Sequence, residues 1–217
     1  MAERIKSAPP VAMMVDLRHA DLTRTFSMLS SMFLCEPTSA TLQQWREMLV
    51  EETPDSLGVV KEALEAVDLN SAQEMDDILW EYTRLFVGPY KLPCPPWESV
   101  YTSPKRLLMQ TAYDEVICLY REAGLAMHET TITPDHIAAE TNFCALLLQK
   151  MSDEPESRSL YAEITQRLVH GHLLQWVPRF TQDMEQSAES PLYKALAQTT
   201  RECVFACSSA FPEHGCS

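Results

Sequence analysis

The chain is 217 residues long, enough to bury roughly 70% of its extended surface without disulfide or metal staples. At 46% hydrophobic and 22% charged residues with only five glycines, it is no disordered chain, and it lacks the glycine that the tight turns of a sheet protein consume. Its net charge of −14, from 31 acidic against 17 basic residues, excludes a basic stripe for nucleic acid or anionic lipid, and no apolar run reaches the ~18 residues of a membrane span.

Residues 1–15, with Pro9 and Pro10, are expected to form a loose lead-in. Val11–Val15 is too short for the apolar region of a secretory signal. The seven cysteines are odd in number and form no Cys-x-x-Cys pair, a pattern of free, partly buried thiols that points to the reducing cytoplasm. Phe26, Leu29, Met32 and Phe33 then follow helical spacing, with Pro37 past the end. Leu42, Trp45, Met48 and Leu49 repeat it, and a third helix after Pro54 carries Leu57, Val60, Leu64 and Val67. The fourth opens on a Ser71-x-x-Glu74 capping box, runs Met75, Ile78, Leu79, Tyr82, Leu85 and Phe86 along one face, and stops at Gly88-Pro89.

Five of the 14 prolines fall between residues 89 and 104, too many for regular helix. Ser103-Pro104 reads as the start of a helix through Leu108, Ala112, Val116, Leu119 and Ala123, closed by Gly124. The polar stretch 125–133 is the expected hinge. Thr133 and Pro134 cap and open a helix that is apolar nearly all round at Phe143–Leu148. A long helix from about Ser157 carries Leu160, Ile164 and Leu168 and bends or ends near Pro178, and a last one runs from about Pro191 to Ala210. With no period-two strand or hairpin signal, the expectation is an all-α bundle of about eight to ten helices in two closely packed subdomains, 16–124 and 134–217.

Four features bear on chemistry. Between Glu47 and Glu81 stand eleven acidic residues and one basic residue, Lys61, which is either a solvated face or a field that draws a cationic ligand. The segment Gly88-Pro-Tyr-Lys-Leu-Pro-Cys-Pro-Pro-Trp-Glu-Ser-Val-Tyr101 sets Tyr90, Trp97 and Tyr101 beside Glu98, as a rigid connector or as a preformed grip for an apolar, arginine-bearing peptide. Cys94 within it has no evident basic partner. Asp135-His136 is placed in the first turn of the Pro134 helix, where capping alone accounts for the aspartate. His172 and Trp176 share a helix face, which reads as packing, while His170 and His172 point apart and cannot share a metal. Cys203, Cys207, His214 and Cys216 match no common zinc spacing, and no phosphate loop, dinucleotide fingerprint, zinc-protease or nucleophile-elbow motif is present.

The run Glu81-Tyr-Thr-Arg-Leu-Phe-Val-Gly-Pro89, then Pro95-Pro-Trp-Glu-Ser-Val-Tyr101, Pro134-Asp-His-Ile-Ala-Ala-Glu140 and His172-Leu-Leu-Gln-Trp-Val-Pro-Arg-Phe180, resembles the signature of the TorD/DmsD redox-enzyme maturation chaperones, over roughly residues 20–200. The resemblance implies a TorD-like helical cytoplasmic chaperone. It would bind the twin-arginine signal peptide of a molybdenum-cofactor oxidoreductase of the DMSO/TMAO reductase type and assist its maturation before export. It also implies a binding site at Tyr82, Leu85 and Phe86, at Pro96, Trp97, Glu98 and Tyr101, and at Asp135 and His136. Glu98 or Asp135 is expected to take an arginine while Leu85, Phe86 and Trp97 line the apolar site. Tyr82 stands where some members have tryptophan, and Glu98 where some have glycine. The implied partner is the molybdoenzyme precursor, with no nucleic acid, no stable membrane insertion, no metal and no catalytic residue; the chain itself would be a monomer or a domain-swapped homodimer. Weak guanine-nucleotide binding follows from the resemblance only. Competing readings are a NarJ-like assembly factor for a reductase subunit lacking the export leader, and a thiol- or nucleotide-dependent enzyme.

Overall fold

A computed structural model describes residues 11–50, 53–89, 91–104, 107–109, 111–126 and 132–213, with side chains from Arg18 onward. These residues form α1 (Val11–Leu34), α2 (Ser39–Met48), α3 (Gly58–Glu65), α4 (Ala72–Tyr82), α5 (Glu98–Thr102), α6 (Thr111–Glu122), α7 (Ile137–Asp153), α8 (Arg158–Leu168), α9 (Leu174–Ser187) and α10 (Pro191–Ala210). Among them there is no sheet, only an isolated antiparallel bridge between Trp97 and His136. The expected all-α class is the observed one.

Helical spacing puts the anticipated side chains inside. Phe26, Leu29, Met32 and Phe33 of α1, Leu42 and Trp45 of α2, Val60 and Leu64 of α3 and Ile78 of α4 are all buried, while Met48 is exposed. α7 buries residues all round its girth, leaving only Asn142, Leu146, Gln149, Ser152 and Asp153 exposed and Lys150 half-buried, and accordingly lies centrally, against α1 on one side and α8 on the other. α9 packs along α10, and α10 against α3. One hydrophobic cluster draws on residues from both sides of the 125–133 stretch. Of that stretch, 127–131 lie outside the described residues, while Leu125 and Ile132 pack on the core.

Several ends differ from expectation. α1 already begins at Val11, so residues 11–15 are helix rather than lead-in. Ser71 does cap α4, accepting from Glu74 N at 3.3 Å, but Glu74 returns its carboxylate to Asp68 N instead of Ser71 N. The proline segment ends in helix after all, α5, because the last five residues before Ser103 contain no proline. Ser103-Pro104 opens no helix: α6 starts at Thr111. Gly124, at φ 67°, closes α6 as anticipated. The first turn of α7 is capped not by Thr133 but by His136, whose Nδ1 accepts from Ala138 N at 3.1 Å. Pro178 neither ends nor breaks its helix, since α9 continues to Ser187 around it.

Two wide π-helical turns interrupt the regular helices. Thr83–Val87 extends α4, with Gly88 N donating to Thr83 O at 2.9 Å, and Val169–Leu173 joins α8 to α9. Such turns redirect side chains relative to the preceding helix face and recur at functional sites. Here one carries Leu85 and Phe86, the other His170 and His172.

Candidate functional site

The proline segment is tied to the start of α7 by main chain. Glu98 N donates to Asp135 O, and Ile137 N to Pro96 O, each at 2.9 Å. These two bonds flank Trp97 and His136, whose rings meet edge to face with centroids 5.5 Å apart. Prolines before Trp97 remove donors that would otherwise need partners and narrow the chain's freedom, so the strap holds its shape with few bonds.

Asp135 is fully buried and spent locally. One oxygen accepts from Ser99 N at 3.3 Å and from Ser99 Oγ; the other accepts from Thr133 Oγ1 at 2.6 Å. A carboxylate at the first amides of α5 stabilises a helix too short to persist alone. Glu98 is also buried, and His172 Nδ1 donates to its two oxygens at 2.9 and 3.2 Å. The expectation that either carboxylate takes an arginine therefore meets a physical obstacle: both already hold internal donors in a buried setting, and an arginine would have to displace them. Their role in this arrangement is to position Trp97, Ser99 and α5.

Beneath lies a third carboxyl group, Glu140, which the sequence reading did not single out. It accepts from Trp176 Nε1 at 3.1 Å, while its Oε1 receives no hydrogen bond among the described residues. Burial, then the nearby Glu98 carboxylate, push its pKa well above the ordinary carboxylate value. A carboxyl–carboxylate neighbour is favourable only when one member carries the proton, and burial beside Glu98 pushes Glu140 in that direction. The signal in the sequence is a lone glutamate on a helix otherwise apolar on every face. His136 is neutral. Its Nδ1 is an acceptor, and burial, opposed by Asp135, pulls its pKa down to about 4.

Tyr82, Leu85 and Phe86 are buried in the core. Phe86 meets Phe33, Tyr82, Phe180 and Tyr193 at centroid separations of 5.7, 5.6, 6.5 and 6.0 Å. Phe180 in turn meets Tyr101 at 6.2 Å, and Tyr101 lies 5.6 Å from Trp176. The two halves of the expected site are thus joined by one chain of rings, and by Cys94, whose thiol donates to Leu85 O at 3.6 Å. Pro96 is buried too, which leaves Trp97 and Tyr101 as the expected site side chains that keep solvent-facing surface. Tyr90 lies outside the described residues. Cys94 is fully buried and its pKa is pushed up to about 12 by burial, which disfavours its thiolate. Cys203 and Cys207 are buried near Cys144, whereas His214 and Cys216 of the four-residue zinc candidate lie outside the described residues.

A family model described as nitrate reductase delta subunit matches residues 34–182, a span that takes in α2 to α8 and every expected site residue. The chain belongs to this family. Its relatives include the Tat proofreading chaperone DmsD of Salmonella typhi, 29% identical over 187 residues that cover 85% of this chain and 88% of that protein. The chaperone protein TorD of Photobacterium profundum is 25% identical over 181 residues, covering 77% and 83% respectively. Among solved structures, a redox enzyme maturation protein from Archaeoglobus fulgidus, 20% identical, shares the fold with a TM-score of 0.56 over 93% of this chain and 98% of that one. The TorD/DmsD likeness read from four sequence segments is the right family, and it is a family of maturation chaperones. No described helix is long and apolar enough to cross a membrane.

Proposed function

We propose that this protein is a cytoplasmic chaperone that binds the twin-arginine signal peptide of a molybdenum-cofactor oxidoreductase of the DMSO/TMAO reductase type, and holds the precursor back from export until the cofactor is in place. The observation that carries this reading is the strap itself. Pro96, Glu98, Asp135 and His136 satisfy their polar groups inwardly, so the rigid surface they support keeps part of the Trp97 and Tyr101 rings accessible, Tyr101 with its hydroxyl buried and its ring against Trp176 and Phe180. A pre-organised aromatic ledge binds an apolar peptide segment at low ordering cost. Acidic residues concentrated on the neighbouring helices attract the arginines. The action is binding and release, with no bond made or broken by the chaperone.

Calorimetry with leader peptides of the cell's own molybdoenzyme precursors tests it. The wild-type chain is expected to bind one leader, and Trp97→Ala to weaken that binding about 30-fold, as loss of a central aromatic anchor does, with an unchanged melting curve. Wild-type affinity in Trp97→Ala contradicts the site. Absence of binding to every leader contradicts the function. Capture of a reductase subunit that has no Arg-Arg leader supports the NarJ-like assembly role instead.

A further inference from the structure

We propose that the groove between α3, α4 and the start of α10 is a separate seat for the arginine pair of the leader, resting on the chaperone reading above. The groove encloses about 450 Å³, within the range of a ligand cleft. Its floor is apolar, made by Ala63, Val67, Ile78 and Leu192. Trp80 forms one wall and is 60% exposed. One face of that indole carries the Arg84 guanidinium at 5.3 Å, itself fixed by Glu81 at 3.2 Å and by Ser187 O at 2.8 Å. The tryptophan is thus held in place while most of its surface remains open.

The rim is acidic on both sides. Glu74 and Asp77 stand one turn apart on α4, close enough to serve adjacent cations, and Glu189 faces them from the segment before α10. All three are exposed. Among the described residues none of the three has an ion-pair partner, and no lysine or arginine lines the groove. Glu81, the fourth carboxylate, is buried and taken up: it accepts from Glu189 N and from Ser190 N at 2.9 Å, fixing the turn that leads into α10, and pairs with Arg84. Three exposed carboxylates without a cationic partner, Glu74 and Asp77 holding only the neutral donors Asp68 N and Gln73 Nε2, stand around an apolar floor and match a segment that carries two guanidinium groups beside apolar residues. Neither a hydrocarbon ligand nor an anionic one fits that combination. Because Glu98 and Asp135 are occupied, the groove supplies the acidic partners that the strap lacks, and the strap supplies the aromatic ledge.

The test is calorimetry on the full chain at low ionic strength, with an Arg-Arg leader peptide, the same peptide with Ala-Ala in place of the pair, and a tetra-arginine peptide. The triple variant Glu74→Gln, Asp77→Asn, Glu189→Gln keeps side-chain shape and acceptor oxygens. It is expected to bind the Arg-Arg leader about 30-fold more weakly than wild type, a loss typical of charge pairs at an interface, and the Ala-Ala leader with unchanged affinity. Trp80→Ala is expected to weaken both leaders about ten-fold, as loss of a contacting aromatic does. Wild-type affinity of the triple variant for the Arg-Arg leader overturns the groove and leaves the chaperone reading standing, whereas failure of the wild-type chain to bind any leader overturns both. Tetra-arginine binding as tightly as the leader would make the groove a general cation surface and overturn the assignment as well.

Discussion

Glu140 is the residue on which the interior of the site turns. Its carboxyl group accepts from Trp176 Nε1 in a fully buried place near Glu98, where an ionised form would set a second buried negative charge beside the first. Its folded pKa is raised, so its contribution to stability is full below the ordinary value of 4.5 and is lost as pH rises through the folded value. Glu140→Gln replaces the acid proton by an amide donor that does not titrate. Urea unfolding between pH 5 and pH 8 is expected to show the variant gaining on wild type as pH rises, by up to about 1.4 kcal/mol per pH unit; parallel curves would mean Glu140 is ionised in the fold. Glu140→Ala, by contrast, orphans the indole N–H and opens a void, at a cost of about 3 kcal/mol. The composition of this site was half legible. Trp97, Glu98, Asp135 and His136 were marked by motif, but the polar groups of Asp135 are taken by Ser99 and Thr133 and those of Glu98 by His172, brought together from separate elements by tertiary packing that no local pattern encodes.

Helix α5 shows how one element depends on another. Five residues cannot hold a helix in water, and α5 exists because Asp135 accepts from Ser99 N and Oγ and because Asp135 O accepts from Glu98 N. Asp135→Ala removes the side-chain half of that support and leaves buried donors unpaired, at about 3 kcal/mol. Hydrogen exchange is expected to rise across residues 97–102 while the amides of α10 stay protected; uniform acceleration in both would show that α5 is not a local unit. Boundary signals fared unevenly for a related reason. Pro191 opens α10 and Gly88, at φ 102°, ends the α4 extension, since there the local residue's own backbone preference agrees with the fold. Thr133-Pro134 carries an equally good local signal, but Thr133 spends its hydroxyl on Asp135, and the bridge to Trp97 holds residues 134–136 in a turn. The Glu81 carboxylate, last of the acidic run that sequence left open between a solvated face and an attracting field, is buried beside the turn before α10 for the same kind of reason.

At the scale of the molecule, glycine scarcity and helical spacing were enough to specify an all-α bundle, because those properties are summed along the chain and do not depend on which helix meets which. The pairing of α1 with α7 and of α3 with α10 was not legible, and with it the groove that unites acidic α4 with the start of α10. A net charge of −14 in so small a body creates a field that favours cationic partners and is screened within about 10 Å at 0.1 M salt. The claim that binds these levels together is that the chain holds a precursor by its arginine-bearing leader. Its most direct test is affinity capture with the tagged chain from a lysate of its native cells, followed by mass spectrometry of the protein retained. The account predicts a molybdoenzyme precursor whose leader, with its Arg-Arg pair, is still attached; capture of only mature, leaderless enzyme, or of no redox enzyme at all, would contradict it.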